Sequence, residues 1–260
     1  MRYFIHLSYN GANYHGWQIQ PNASSIQQTM ENALGLLLHQ EINIVGCGRT
    51  DTGVHASSFY AHFETDNIFS SEQLKNLIFK LNSFLPNDIQ IFSIFPVSDD
   101  LHARFSATSR TYKYFLTVDK KPFKNDFIHR IFYHPDLDMM NAACEILKTY
   151  EDFTSFSKLH TQTATNNCEI LHAEWKWEED FVGKQLVFTI TANRFLRNMV
   201  RSITGTILDV GRGKLSLEGF KKVIESKNRC NAGTSLPAKA LFLTHIEYPF
   251  DDDVLSKEIE

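Results

Sequence analysis

Over the first hundred residues the apolar positions change their period in a set order, and that order narrows the possible folds most. Arg2 to Tyr9 alternates Tyr3, Ile5, Leu7 and Tyr9 against Arg2, His6 and Ser8, the period-two signature of a half-buried strand. Asn10-Gly11 breaks it, and a loop rich in glycine, aromatics and amides runs to Pro21. Ser24 or Ser25 then stands where it can cap a helix that buries Ile26, Met30, Ala33, Leu34, Leu37 and Leu38. Ile42 to Cys47 is a short apolar strand ending among Gly46 and Gly48. Phe59, Ala61 and Phe63 alternate with Tyr60 and His62 in another. Ser71 to Phe84 reads as a helix closed by Leu85-Pro86-Asn87, and Ile89 to Val97 returns as a strand. The order β-α-β-β-α-β is a split β-α-β arrangement. It predicts an α+β fold of ferredoxin-like kind, an antiparallel sheet backed by helices.

The second half reads as a more elaborate relative of the first. Strands are expected at 110–118, 170–177, 185–191 and 241–248, and helices at 138–150, 194–208 and 217–226. Ser98-Asp99-Asp100 is the expected seam. The expected organisation is therefore an N-terminal α+β half over 1–100, a C-terminal α+β half over 101–248, and an acidic tail over 249–260 that reads as a solvated end.

Composition excludes several classes. Of the 260 residues, 43% are hydrophobic and 22% charged, which suits a globular chain and not a disordered one. His6 interrupts the amino terminus too early for a signal peptide, and no apolar stretch nears the ~20 residues of a membrane helix. A cytoplasmic protein without a membrane partner is expected. Cys47, Cys144, Cys168 and Cys230 form no CxxC pair, and the eleven histidines form no HxxxH spacing. No metal site is expected. The net charge of −4 does not announce a nucleic-acid partner, unless basic residues gather on one face.

Three segments are candidates for chemistry. In Gly48-Arg49-Thr50-Asp51-Thr52-Gly53 a strand runs into a glycine-flanked turn that presents Arg49 and Asp51 two residues apart. Glycines admit a close ligand, and a carboxylate held near a guanidinium stays ionised, as a nucleophile must. The competing reading is a turn in which Asp51 caps a short helix. A dinucleotide loop fits poorly, because Asp51 occupies the place of the third glycine. In Arg194 to Arg201, at ~100° per residue, Arg194, Arg197 and Arg201 fall within roughly 60° of one another on a helix. Such a ridge is either an ordinary solvated face or an anion-binding one, and no acidic residue follows before Asp209 to pair with it. In Arg110-Thr111-Tyr112-Lys113-Tyr114 the alternation puts Tyr112 and Tyr114 on one side of a strand and Thr111 with Lys113 on the other. Aromatic rings among cations suit stacking on an unpaired base; core packing of both tyrosines is the other outcome. Trp17, with Gln18 and Gln20, is similarly open between RNA contact and gap filling.

Together these segments resemble the TruA family of tRNA pseudouridine synthases. Gly48 to Ala56 is similar to the family's catalytic motif, with Thr52 where alanine is commoner. Tyr9-Asn10-Gly11 and Tyr14 to Gln20 resemble its first loop, with Asn10 where aspartate is usual. His102 to Ala107, Arg110 to Tyr114, Asp152 to Phe156 and Asn198 to Gly205 resemble later regions. The resemblance is ordered and runs from Tyr9 to Tyr248. Departures lie at Leu241-Phe242-Leu243 after Ala240, where glycine is frequent, and at Thr165 to Cys168, where an arginine is often found.

The resemblance implies the pseudouridine synthase fold, with two ferredoxin-like-derived halves forming an extended mixed or antiparallel sheet flanked by helices. It implies isomerisation of uridine to pseudouridine in the anticodon stem-loop of tRNA, at positions 38 to 40, with no cofactor. Asp51 carries over as the catalytic carboxylate. Arg49 and Arg201 carry over as cations that position the carboxylate or the RNA, and Tyr112 as the ring on the target base. Arg194 and Arg197 are expected to bind RNA from the same ridge. Family members are usually homodimers. Two other readings compete: a non-catalytic RNA-binding protein of the same fold, and a two-carboxylate glycoside hydrolase, which needs Glu64 or Asp66 beside Asp51.

Overall fold

The computed structural model describes residues 1–158 and 165–249; the acidic tail from residue 250 onward lies outside the described residues. These residues hold nine strands and five α-helices, the α+β class. They form two compact units, Met1–Thr108 with residues 243–249, and the described residues of Ser109–Phe242.

The first unit contains β1 (Arg2–Tyr9), α1 (Ile26–Leu38), β2 (Ile44–Gly46), β3 (His55–Glu64), α2 (Ser71–Phe84) and β4 (Ile89–Val97). β1 lies between β3 and β4, antiparallel to both, and β2 is antiparallel to β3. β1 and β2 therefore run parallel with β3 between them, which is the split β-α-β unit the sequence order predicts. Local chemistry sets the helix ends. The Ser25 hydroxyl accepts from the Gln28 N–H to start α1, and Ser70 with Gln73 forms a capping box on α2. α1 buries Ile26, Met30, Ala33 and Leu34, while Leu37 and Leu38 are only half-buried. Asn82 of α2 exchanges two hydrogen bonds with the backbone of Ile91 in β4 (2.8 and 2.9 Å).

The second face of the sheet is covered at one end, where alternation alone suggests an open face. Phe4, on the face of β1 opposite Tyr3 and Ile5, is fully buried against His62, Phe95 and Tyr248. The segment after β4 supplies part of the cover. The Ala103 N–H donates to His62 Nδ1 (3.1 Å), the Tyr248 hydroxyl donates to the Ala103 carbonyl (2.6 Å), and Arg2 donates to the Leu101 carbonyl (2.5 Å). These contacts carry the first unit past Ser98-Asp99-Asp100 to Thr108. They also explain why most of the last strand, β9 (Leu241–Glu247), clusters with it.

Burial gives this face an acid-sensitive element. It lowers His6 from 6.5 to about 4, and burial together with the nearby Arg2 and His102 lowers His62 to about 4. His6 stacks flat on Tyr60 (4.4 Å) and reaches Ser58 (3.0 Å). Both rings are neutral in the folded protein at pH 5, whereas an unfolded histidine binds a proton below about 6.5. Stability is thus complete above pH 6.5 and falls as the pH drops from 6.5 towards 4. A tenfold change in proton affinity is worth about 1.4 kcal/mol, an upper figure for rings that keep some solvent. The expected result is a Tm several degrees lower at pH 5 than at pH 7.5. Equal melting temperatures at constant ionic strength would count against it.

The second unit contains β5 (Ser109–Thr117), β6 (His129–Arg130), α3 (Leu137–Leu147), β7 (Ile170–Asp180), β8 (Gly183–Ala192), α4 (Met199–Gly211) and α5 (Leu217–Glu225). β8 lies between β5 and β7, antiparallel to both, and β6 is parallel to β5. α3 packs on β7 and α4. Trp175 stacks on Phe188 (4.7 Å), and Asn141 of α3 exchanges two hydrogen bonds with the Trp175 backbone (2.8 and 3.1 Å). Each unit thus ties a helix to its outer strand through one asparagine that satisfies a backbone N–H and C=O together.

Candidate active site

The Asp51 loop joins β2 to β3. No helix follows it, since β3 begins at His55, so Asp51 has no helix to cap and the capped-turn reading fails. Asp51 is half-buried and Arg49 is exposed. The turn is closed by the Val54 N–H donating to the Asp51 carbonyl (3.1 Å), and Gly53 takes a left-handed φ of 76°.

The loop between β1 and α1 lies against this turn and holds it at several points. The Tyr9 hydroxyl bonds to the Thr50 Oγ1 (2.9 Å), and the Trp17 N–H donates to the Thr50 carbonyl (3.3 Å). The Gly53 N–H donates to the Tyr14 carbonyl (3.3 Å), and the Gly11 N–H donates to His55 Nδ1 (3.1 Å). Approach is close enough that side chains are excluded. A Cβ on Gly11 would lie 2.0 Å from the Val54 carbonyl oxygen, and one on Gly46 would lie 2.6 Å from the Trp17 indole. Trp17 itself is buried and stacks on Phe59 (4.1 Å), so it fills a gap; Gln18 and Gln20 are exposed. The first loop is in turn anchored on Asp88, which accepts from the Tyr14 hydroxyl (2.6 Å) and the Asn13 amide (3.2 Å). Burial and the Asp88 carboxylate raise the Tyr14 pKa, so the hydroxyl stays a donor.

Asp88, and the holding contacts of Tyr9, Thr50 and His55, are not legible in the sequence. Their partners are distant in the chain, and no local pattern marks a contact 41 or 74 residues apart. Tyr9→Phe removes one partner of a buried hydrogen bond and should cost about 1–2 kcal/mol, read as a lower urea midpoint with an unchanged slope. A midpoint equal to wild type would show that the bond contributes nothing.

In the second unit, Tyr112 and Tyr114 share a face of β5, as alternation predicts, but with different surroundings. Tyr114 is fully buried, donates to the Pro237 carbonyl (2.8 Å), and has its pKa raised by burial. Tyr112 is half-buried, with its ring edge-on to Phe195 (5.2 Å). On the other face Thr111 bonds to Thr191 (2.8 Å) and Lys113 pairs with Glu178 (3.2 Å).

The helical ridge of three arginines is not formed. α4 starts at Met199, and the residue before it, Asn198, has a left-handed φ of 66°. Arg194 and Arg197 lie in the non-helical segment ahead of it; the Arg197 carbonyl accepts from the Lys158 N–H (3.1 Å) instead of continuing a helix. Only Arg201 is helical. Its guanidinium Nε donates to the Leu236 carbonyl (2.6 Å), the Leu236 N–H returns a bond to the Arg201 carbonyl (3.2 Å), and Asn198 bonds to Ser235 (2.6 Å). Gly205 permits this strap: a Cβ there would lie 1.9 Å from the Thr234 carbonyl oxygen.

Glu64 stands at the far end of β3 from the Asp51 loop, exposed and paired with Arg2. It offers no second acid for the glycoside hydrolase reading. Among the described residues no group of three or more His, Cys, Asp or Glu is placed to hold a metal ion, and no helix is long and apolar enough to cross a membrane.

A sequence model of the family described as tRNA pseudouridine synthase matches residues 143–249. The chain is 53% identical to "tRNA pseudouridine synthase A" of Parabacteroides distasonis, covering 95% of this chain and 96% of that one. It is 52% identical to the protein of the same description in Bacteroides thetaiotaomicron, covering 99% and 93%. It is also 52% identical to that of Bacteroides fragilis, covering 95% and 96%.

Proposed function

The chain belongs to the tRNA pseudouridine synthase family, and from that premise we propose that it acts on uridines 38 to 40 in the anticodon stem-loop of tRNA. As a member it is an isomerase, a pseudouridine synthase. The reaction breaks the N-glycosidic bond, turns the uracil over and joins its C5 to the ribose; C5 loses a proton and the freed N1 gains one. Atoms balance within the nucleotide, and no cofactor is called for.

The observation that carries this reading is Asp51 itself: a half-buried carboxylate in a turn whose neighbours on both sides are tied to the first loop. Such a group is positioned without needing to reorganise during reaction. In this reading Asp51 is the nucleophile, adding to ribose C1′ or to uracil C6. Arg49 and Arg201 position the carboxylate or the RNA backbone. Tyr112 contacts the target base after it leaves the helical stack, and in this reading accepts the C5 proton. Arg194 and Arg197 serve the phosphate backbone, from an irregular segment rather than a ridge. The working form is a cytoplasmic homodimer.

The test is to map pseudouridines in unmodified tRNA before and after treatment with the pure protein, by mass spectrometry after alkylation selective for the pseudouridine N1. New pseudouridine confined to positions 38 to 40 is expected. Tight tRNA binding with every uridine unchanged would favour a non-catalytic RNA-binding protein instead.

A further inference from the structure

The second unit contains an open cleft of about 500 Å³ that the proposed chemistry does not use. It is lined by the apolar side chains of Ile131, Leu208 and Leu236 and by Arg130, Arg212, Phe132 and Tyr133. The Arg130 guanidinium lies over the Phe132 ring at 4.9 Å, and Arg212 lies over Tyr133 at 5.8 Å. Arg130 is steadied by a bond from its Nε to the Val118 carbonyl (3.3 Å), and Arg212 by Asp209 (2.6 Å). Phe132 is 82% exposed, although it is a large apolar ring at the mouth of a cleft.

Three features narrow the ligand. The volume is that of a site for one small ligand. Two arginines against the single carboxylate of Asp209 leave the lining positive in a chain of net charge −4, which favours an anion. Exposed ring and guanidinium planes are the surfaces on which an unstacked base settles, with phosphate held by the same cations. We propose that this cleft binds one unpaired nucleotide of RNA, its base against Phe132 and its phosphate on Arg130 and Arg212. This rests on the reading that RNA is the substrate, and makes the cleft a contact additional to the one for the target uridine.

Phe132 and Arg130 are the residues to change. Leu236 is unsuitable because its carbonyl also holds Arg201. The probe is a single-stranded decamer of oligouridylate carrying 4-thiouridine, with unmodified tRNA as the second ligand. Irradiation of the wild-type complex should crosslink the peptide containing Phe132. In Phe132→Ala and Arg130→Gln the decamer should bind about tenfold more weakly, while tritium release from saturating tRNA keeps its kcat. Crosslinks mapped only elsewhere, no measurable binding of the decamer, or unchanged affinity in both variants would overturn the proposal. So would a changed sedimentation coefficient in Phe132→Ala with unchanged RNA affinity, which assigns the ring to contact with a second copy. Failure of the wild type to release tritium strikes the proposed function instead, because the crosslink is read without turnover.

Discussion

Asp51→Asn is expected to lower tritium release from tRNA labelled at uridine C5 by roughly ten-thousand-fold or more, the scale seen when a nucleophile is removed. Asparagine has the same shape and no negative charge, so it can neither capture an electron-poor ribose nor add to the base. The fold should survive. The turn is closed by the Asp51 carbonyl and the Val54 N–H, and its flanks are held through Thr50 and Gly53, none of which involves the Asp51 side chain. The Tm should therefore stay within a few degrees of wild type, and tRNA affinity should be retained. Asp51→Glu sharpens the point: it restores the charge one methylene out of place, and should recover little activity if position matters as much as charge. Full tritium release by Asp51→Asn would sink the assignment.

The next largest effect is expected from Gly16→Ala, a change far from Asp51 in sequence. Gly16 has a φ of +92°, and a Cβ there would lie 2.3 Å from the Thr50 carbonyl oxygen. The clashing atom is backbone and cannot rotate away, so the first loop and the Asp51 turn must separate. Positive φ with a side chain and the displaced contact together should cost about 2–3 kcal/mol. Because Thr50 is the neighbour of Asp51, the damage should exceed the loss of folded protein. At a temperature where Gly16→Ala is still folded by circular dichroism, kcat should fall at least tenfold with tRNA affinity little changed. A wild-type kcat in Gly16→Ala would show that the first loop does not position Asp51.

The two expectations differ in how visible they were in the sequence. Asp51 stood out because a strand, a glycine-flanked turn and a charged pair are all local. Gly16 was one glycine among several in a loop, and only the Thr50 carbonyl beside it gives it a role. The same contrast holds for the arginines. A periodic pattern placed Arg194, Arg197 and Arg201 on one helix, yet Asn198 turns left-handed and its amide bonds to Ser235. The bond that Arg197 makes to Lys158, and the one Arg201 makes to Leu236, are with segments no helical period can anticipate.

By itself the sequence determined the succession of strands and helices, a serine cap at 24 or 25, the turn bearing Asp51, and the shared face of Tyr112 and Tyr114. All of these depend on a residue and its near neighbours, where side-chain period, hydroxyl caps and glycine act directly. Only the tertiary structure decided that part of the second face of the first sheet is covered, around Phe4, that Tyr114 is core while Tyr112 is half-buried, and that one arginine of three is helical. Only it decided that the Asp51 turn is held by Tyr9, Trp17 and Tyr14. Those outcomes rest on hydrogen bonds and van der Waals contacts between residues tens of positions apart, whose strength depends on distances that exist only once the chain has closed on itself.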